Sequence, residues 1–204
     1  MAIIVEHDKR KRTILDKALD VFVDEGYEDA TFQKIADRCG ITRTTLYLYF
    51  RNKREIFISS IKQLTTNIEL NLLDVMHNKK LTSHEKLQQV LHQIIDGCRE
   101  NSKLFIVILK YLLQVQKTGK DPGLLVRRRT IRLRHLLCNI LIEGINKDEL
   151  NISVKEIATT YEMLYSMVES SIFRLAILNQ KDIKEIYSAI DLAISGIAKE
   201  KPVQ

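Results

Sequence analysis

Apolar residues recur every three or four positions along nearly the whole chain, the period of helices with one buried face and not the alternation of strands. Ile14, Leu15, Ala18, Leu19 and Phe22 form the first such face, predicting a helix from about Lys9 to Glu25 that Gly26 stops. Phe32, Ile35, Ala36 and Cys39 predict a short second helix, opened by the Thr31 hydroxyl and closed by Gly40. Thr42 is placed to cap a third, which carries Leu46, Tyr47 and Phe50. Asn52, with Glu55 three residues later, opens a fourth that keeps its period to near His77. That length marks the hand-over from a small domain, residues 1–53, to a larger one, residues 54–204.

Beyond Lys80 the start signals continue: Thr82 with Glu85, Asp121 before Pro122, and Ser153 with Glu156. The larger part reads as a helical bundle, and the whole chain as all-α with about nine helices. Leu104 to Lys117 is almost entirely apolar, but Lys103, Lys110, Gln114 and Lys117 share one narrow stripe, so Lys110 reads as a solvated lysine and not a catalytic amine. Near the end, Ile157, Tyr161, Leu164, Tyr165, Val168, Ile172 and Leu175 make one apolar stripe, and Ile183, Ile186, Tyr187, Ile190, Ile194 and Ile197 another. Two readings stay open for them, a four-helix dimer interface and packing within the chain.

Composition narrows the class. With 204 residues, 45% of them apolar, the chain can bury a core, and seven glycines and two prolines leave little material for hairpins. The net charge of +6 hints at polyanions only weakly, but its distribution is uneven. Residues 1–30 hold five Lys/Arg against eight Asp/Glu, whereas residues 31–62 hold seven against two. Cys39, Cys98 and Cys138 are odd in number and far apart, which argues against a disulfide framework or a zinc cluster and fits a reducing cytoplasm. His77, His84, His92 and His135 lack metal-ligand spacing, and no leader or membrane-length apolar run is present. Neither G-x-S-x-G, H-E-x-x-H, a P-loop nor a dinucleotide glycine pattern occurs, so an enzyme is not expected, and no catalytic residue, metal or cofactor is assigned.

A short helix, a glycine turn and a capped short helix follow the helix-turn-helix plan, in which the second helix enters the major groove. Ile35, Ala36, Ile41, Leu46 and Phe50 supply its apolar interior, which frees Arg43, Thr44, Thr45, Leu48 and Tyr49 to face elsewhere. Their chemistry suits a duplex: Arg43 can bond a guanine edge twice, threonines offer hydroxyls and methyls, and tyrosine hydroxyls reach phosphates. Lys53 adds a cation at the start of the fourth helix, where exposed N–H groups already favour an anion. The basic run Lys9–Arg12 opposes the dipole of the first helix and is open to two readings, an arm on DNA or a solvated terminus.

The pattern Thr31, Ile35, Ala36, Gly40, Ile41, Thr42, Leu46, Tyr47, Tyr49, Phe50, Asn52 and Lys53 resembles the DNA-binding signature of TetR-type (tetracycline-repressor-like) transcriptional regulators, over about residues 9–60. The resemblance implies that Gln33, Thr42, Arg43, Thr44, Thr45, Tyr47, Tyr49 and Lys53 meet DNA, with Tyr47 and Lys53 on phosphates and Arg43 and Thr44 nearer base edges. Thr44 stands where members often carry a smaller residue. It further implies a homodimer, joined here through the last two helices, on a palindromic double-stranded operator. A small-molecule effector in a cavity among the C-terminal helices would release the repressor, with the long fourth helix coupling the two parts. Tyr111, Tyr161 and Tyr165 are candidates for lining that cavity, against the plainer reading of core tyrosines with satisfied hydroxyls. Arg127, Arg128, Arg129, Arg132 and Arg134 fan around one helix, where Arg128 and Arg132 share a side that could meet an acyl carboxylate or phosphate. The competing class is a helical adaptor without sequence-specific DNA binding.

Overall fold

Helix caps written in the sequence set most of the element boundaries. The computed structural model describes residues 2–180 and 182–199, and these form α1 (Ala2–Asp29), α2 (Phe32–Cys39), α3 (Arg43–Tyr47), α4 (Lys53–His77), α5 (Ser83–Glu100), α6 (Ser102–Lys117), α7 (Pro122–Asn146), α8 (Ile157–Ala176) and α9 (Lys184–Ser195). A one-turn 3-10 helix, Val154–Glu156, precedes α8. The fold is all-α, with a single isolated bridge between Leu150 and Ala198 among the described residues. Among those residues no helix is long and apolar enough to cross a membrane.

α1 begins well before the expected Lys9, so the basic run lies within a helix and not on an extended arm. Polar residues at 6–10 are exposed and carry no apolar period, which is why the pattern did not reveal this first stretch. Gly26 breaks the helix as expected, at φ 81° and ψ 169°, a backbone only glycine adopts without strain. α4 opens as the spacing indicates, with the Glu55 N–H donating to Asn52 Oδ1 at 2.9 Å, but the Glu55 carboxylate accepts from the Arg51 N–H at 2.7 Å and not from the cap itself. At α5 the capping box is complete: the Glu85 N–H donates to Thr82 Oγ1 and the Thr82 N–H to Glu85 Oε2.

The chain packs as two compact units: the residues up to Asn67 with Lys103–Pro122, and Ile68–Ser102 with the residues from Gly123 onward. In the first, α1, α2, α3 and the first part of α4 enclose Ala18, Phe22, Ile35, Ala36, Leu46, Phe50, Ile56 and Phe57, all at most 1% exposed. The Ser60 hydroxyl donates to the Leu15 carbonyl at 3.0 Å inside this core. α6 belongs to the same unit, with Lys110 exposed on its solvent stripe.

The second unit is centred on α5, which packs on α8 and α9. Leu87, Leu91, Ile95, Leu137, Leu141, Leu164 and Ile194 are fully buried there. The Lys86 ammonium, 2% exposed, donates to both oxygens of Glu143 at 2.8 and 3.0 Å, and Lys147 donates to the same carboxylate at 2.6 Å. Together they hold the Glu143 carboxyl below its usual range, the Lys147 bond most and the Lys86 bond next. The stripes foreseen on α8 and α9 face inward: Tyr161, Leu164, Val168, Leu175, Ile186, Ile190 and Ile194 are all buried within the single chain. Those named residues pack within the chain, because a helical period identifies a buried face without saying which molecule covers it.

Gly144 lies where α7 passes closest to its neighbours. A Cβ there would overlap the Leu150 side chain and stand 3.0 Å from Ser83 Cβ, and both neighbours are buried, Leu150 at 2% and Ser83 at 0%. Gly144→Ala is therefore expected to lower stability by about 1–2 kcal/mol despite alanine's better helix propensity. Chemical denaturation checks this, and an unchanged or raised midpoint would contradict the packing.

Candidate nucleic-acid interface

α2 and α3 meet across a turn built from two caps. Thr31 Oγ1 accepts the Lys34 N–H at 3.2 Å to start α2. Gly40, at φ 68°, ends it, its N–H reaching the Asp37 carbonyl and the Ile41 N–H that of Ala36, each at 3.0 Å. Thr42 Oγ1 then accepts the Thr45 N–H at 3.1 Å and opens α3. Leu46 and Phe50 anchor this second short helix, at 0% and 1% exposure. The arrangement is a helix-turn-helix with its apolar side inward.

The charges of α2 are partly neutralised from α1. Lys34 pairs with Glu25 at 2.7 Å and Arg38 with Asp24 at 2.9 Å, so the acidic first helix absorbs two of the cations counted in residues 31–62. Gln33 is exposed, and its amide donates to Asp37 Oδ1 at 2.7 Å.

On α3 the Thr42 and Thr45 hydroxyls lie 2.8 Å apart and serve the cap. Arg43 donates to the Tyr47 hydroxyl at 3.1 Å, with its guanidinium 5.6 Å from the Tyr47 ring centre. Tyr47 is half exposed and stacks on Phe32 of α2 at 4.6 Å. Thr44 is exposed and makes no hydrogen bond among the described residues. Tyr49 stacks on His7 of α1 at 4.7 Å, and Lys11 sits 5.2 Å over the Phe50 ring, so the start of α1 rests on the segment after α3. Neither contact has a local sequence signal, because each partner is about 40 residues away.

Lys53 is turned back toward the end of α1. Its ammonium donates to the Tyr27 and Glu28 carbonyls at 2.7 and 2.8 Å and lies 4.7 Å over the Tyr27 ring. Beside it, Arg54 Nε donates to the Tyr111 hydroxyl at 3.0 Å. That bond is the chief cause that holds the Arg54 guanidinium above its ordinary value. Tyr111, 5% exposed, packs edge-on against Tyr27 and Phe57 at 4.6 and 4.9 Å. It is an aromatic of the first unit's core with its hydroxyl satisfied. Tyr161 and Tyr165 belong to the second unit and stack on each other at 5.5 Å, with Arg134 over the Tyr161 ring. Burial pushes the Tyr161 hydroxyl up to about 12.

A helix-turn-helix backed by its own apolar core defines a DNA-binding protein. Residues 14–59 match the family of bacterial regulatory proteins described as the tetR family. The fatty acid metabolism regulator protein of Bacillus subtilis (strain 168) is 27% identical over 187 residues, covering 90% of this chain and 93% of its own. The transcriptional regulator BetI of Escherichia coli O17:K52:H18 is 26% identical over 134 residues, covering 66% and 67%. Among solved structures, the Bacillus subtilis regulator FadR in complex with stearoyl-CoA shares the fold at a TM-score of 0.75 and 24% identity, over 91% of this chain and 98% of that one. Residues 14–59 thus carry the DNA-binding part of a tetR-family regulatory protein, and the chain is a DNA-binding transcriptional regulator.

The geometry separates two cations that the sequence pattern treats alike. Lys53→Met removes two bonds from the end of α1 and is expected to destabilise the free protein by about 1–3 kcal/mol. Arg43→Ala, on an exposed side chain, is expected to change stability by less than about 0.5 kcal/mol. Thermal melts without DNA distinguish them, and equal stability of the two variants would show that the Lys53 bonds contribute nothing.

Proposed function

We propose that the protein binds a palindromic operator as a homodimer, with α3 of each protomer in the major groove. Residues 1–53 form the reading part, and residues 54–204 carry effector binding and dimerisation. The observation that carries this reading is the exposed α3, backed by Leu46 and Phe50 and fixed by the Thr31, Gly40 and Thr42 caps. Arg43 and Thr44 are assigned to base edges, and Tyr47, Tyr49 and Lys53 to phosphates, with Gln33, Thr42 and Thr45 beside them. Lys53 reaches a phosphate only in competition with the Tyr27 and Glu28 carbonyls.

For the dimer, support comes from apolar side chains on α8, just after it and on α9 that the chain itself does not cover. Phe173, Ile177, Leu178 and Leu192 are 51%, 47%, 61% and 75% exposed, a different set from the buried stripes. Two such faces would hold both copies of α3 about one duplex turn apart, roughly 34 to 36 Å.

For the effector we infer a long-chain acyl-CoA, held by the second unit. The similarity to the Bacillus subtilis fatty acid metabolism regulator runs through 90% of the chain, beyond the DNA-reading part. FadR of that organism was solved with stearoyl-CoA. Arg129 on α7 supplies a fitting group: burial lowers its guanidinium below the ordinary value, and no carboxylate pairs with it among the described residues. An anionic headgroup would relieve that desolvation.

Two measurements test this. Titrating stearoyl-CoA against a labelled operator fragment should weaken binding, free CoA should not, and Arg129→Gln should blunt the response while leaving effector-free binding intact. No response to stearoyl-CoA would overturn the effector assignment. Separately, Phe173→Glu and Leu192→Glu are expected to shift sedimentation toward monomer and to weaken operator binding by about tenfold or more. A dimer that persists in both variants would place the interface elsewhere.

A further inference from the structure

The hydrogen-bonding groups of α3 are mostly spoken for before any DNA arrives. The Thr42 and Thr45 hydroxyls serve the cap, and Arg43 donates to Tyr47. Beside the groups that stay open stands an apolar one. Leu48, immediately after α3, is 76% exposed, and its backbone is still helical at φ −67° and ψ −23°. Thr44 lies four residues earlier, a spacing that brings two residues to the same side of a helix. Isolated exposed leucines are commonplace on protein surfaces. This one is set apart by its place at the end of the helix that faces the groove.

We propose that Thr44 and Leu48 form an apolar stripe that reads the 5-methyl group of thymine in the major groove, so that each half-site carries one or two thymines selected without a hydrogen bond. The inference rests on α3 being the helix that enters the groove. Among the four bases only thymine offers a methyl group there, and it lies at the edge that a side chain on such a helix reaches first. Covering that methyl withdraws apolar surface from water on both partners. Cytosine presents only a C5–H at that position, so Leu48 would lose the contact and gain no hydrogen bond in exchange. The stripe thus distinguishes T·A from C·G, while Arg43 remains available for a guanine elsewhere in the half-site.

The test uses the full chain and duplexes selected by it from a random-sequence library at fixed salt. Each thymine of the selected half-site is replaced in turn by deoxyuridine, which keeps every hydrogen-bonding group and loses only the methyl. Wild-type protein is expected to bind about fourfold more weakly for each methyl it contacts, at one or two positions. Leu48→Ala should bind the thymine duplex about as weakly as wild type binds the uracil duplex. Its discrimination against uracil should shrink, and that of Thr44→Ser/Leu48→Ala should vanish, with an unchanged melting temperature and an unchanged salt slope, because no phosphate contact is lost. Equal binding of wild type to thymine and uracil at every position, or discrimination undiminished in Thr44→Ser/Leu48→Ala, would overturn the proposal. Arg43→Ala separates this from the underlying reading. If neither Arg43→Ala nor Leu48→Ala alters the selected sequence, α3 is not the reader. If Arg43→Ala alters it while uracil is neutral, only the apolar stripe fails.

Discussion

Everything in the reading part depends on how α1 ends. Past the break at Gly26 the last carbonyls of the helix have no N–H partner of their own, and unsatisfied carbonyls near a core are costly. Lys53 answers two of them at once, with its ammonium over the Tyr27 ring. The first turn of α4 is thereby tied to the end of α1. α2 and α3 lie between these two helices in sequence, held by the Lys34–Glu25 and Arg38–Asp24 pairs and by the burial of Leu46 and Phe50. The exposed pairs contribute little by themselves, about 0–1 kcal/mol each, so orientation comes chiefly from the apolar contacts and the Lys53 bonds.

Features carried by neighbours in sequence were legible before the structure. Thr31, Gly40, Thr42, Asn52 and Thr82 each open or close a helix as their spacing indicates, because a cap is satisfied within three or four residues. The fold class followed from the helical period, and the helix-turn-helix from the tight succession of caps. Features that need a distant partner were not legible. Lys53 reads as a cation at a helix start, yet its acceptors lie about 25 residues upstream. Tyr111 reads either as a cavity residue or as a core tyrosine with its hydroxyl satisfied, but the group that meets that hydroxyl, Arg54, lies 57 residues earlier.

Periodicity also overstates what an apolar stripe can tell. On α8 and α9 it located the buried faces correctly, but the large apolar residues left exposed on these helices or just after α8 include ones outside the stripes: Phe173, Ile177, Leu178 and Leu192. An interface formed after folding occupies what the core leaves uncovered, so its signal is apolar surface out of phase with the main stripe. The same logic holds for α3, where Leu46 marks the core and Leu48, two residues on, points the other way into water.

α6 gives the proposed effector response a physical scale. It packs in the first unit, where Tyr111 joins Tyr27, Phe57 and Arg54, while the chain on both sides of it belongs to the second. Coupling between two binding sites typically amounts to about 1–3 kcal/mol, and a hydrogen bond to a charged group is worth about 1.5–3 kcal/mol. The Arg54–Tyr111 bond and the Lys53 bonds to α1 fall in that range. On the proposed reading, an effector need only weaken one of them to loosen the base of α4, and with it the fixed placement of α3. No large rearrangement of the core is required, since a dimer that reads two half-sites together loses affinity when either copy of α3 is held less firmly.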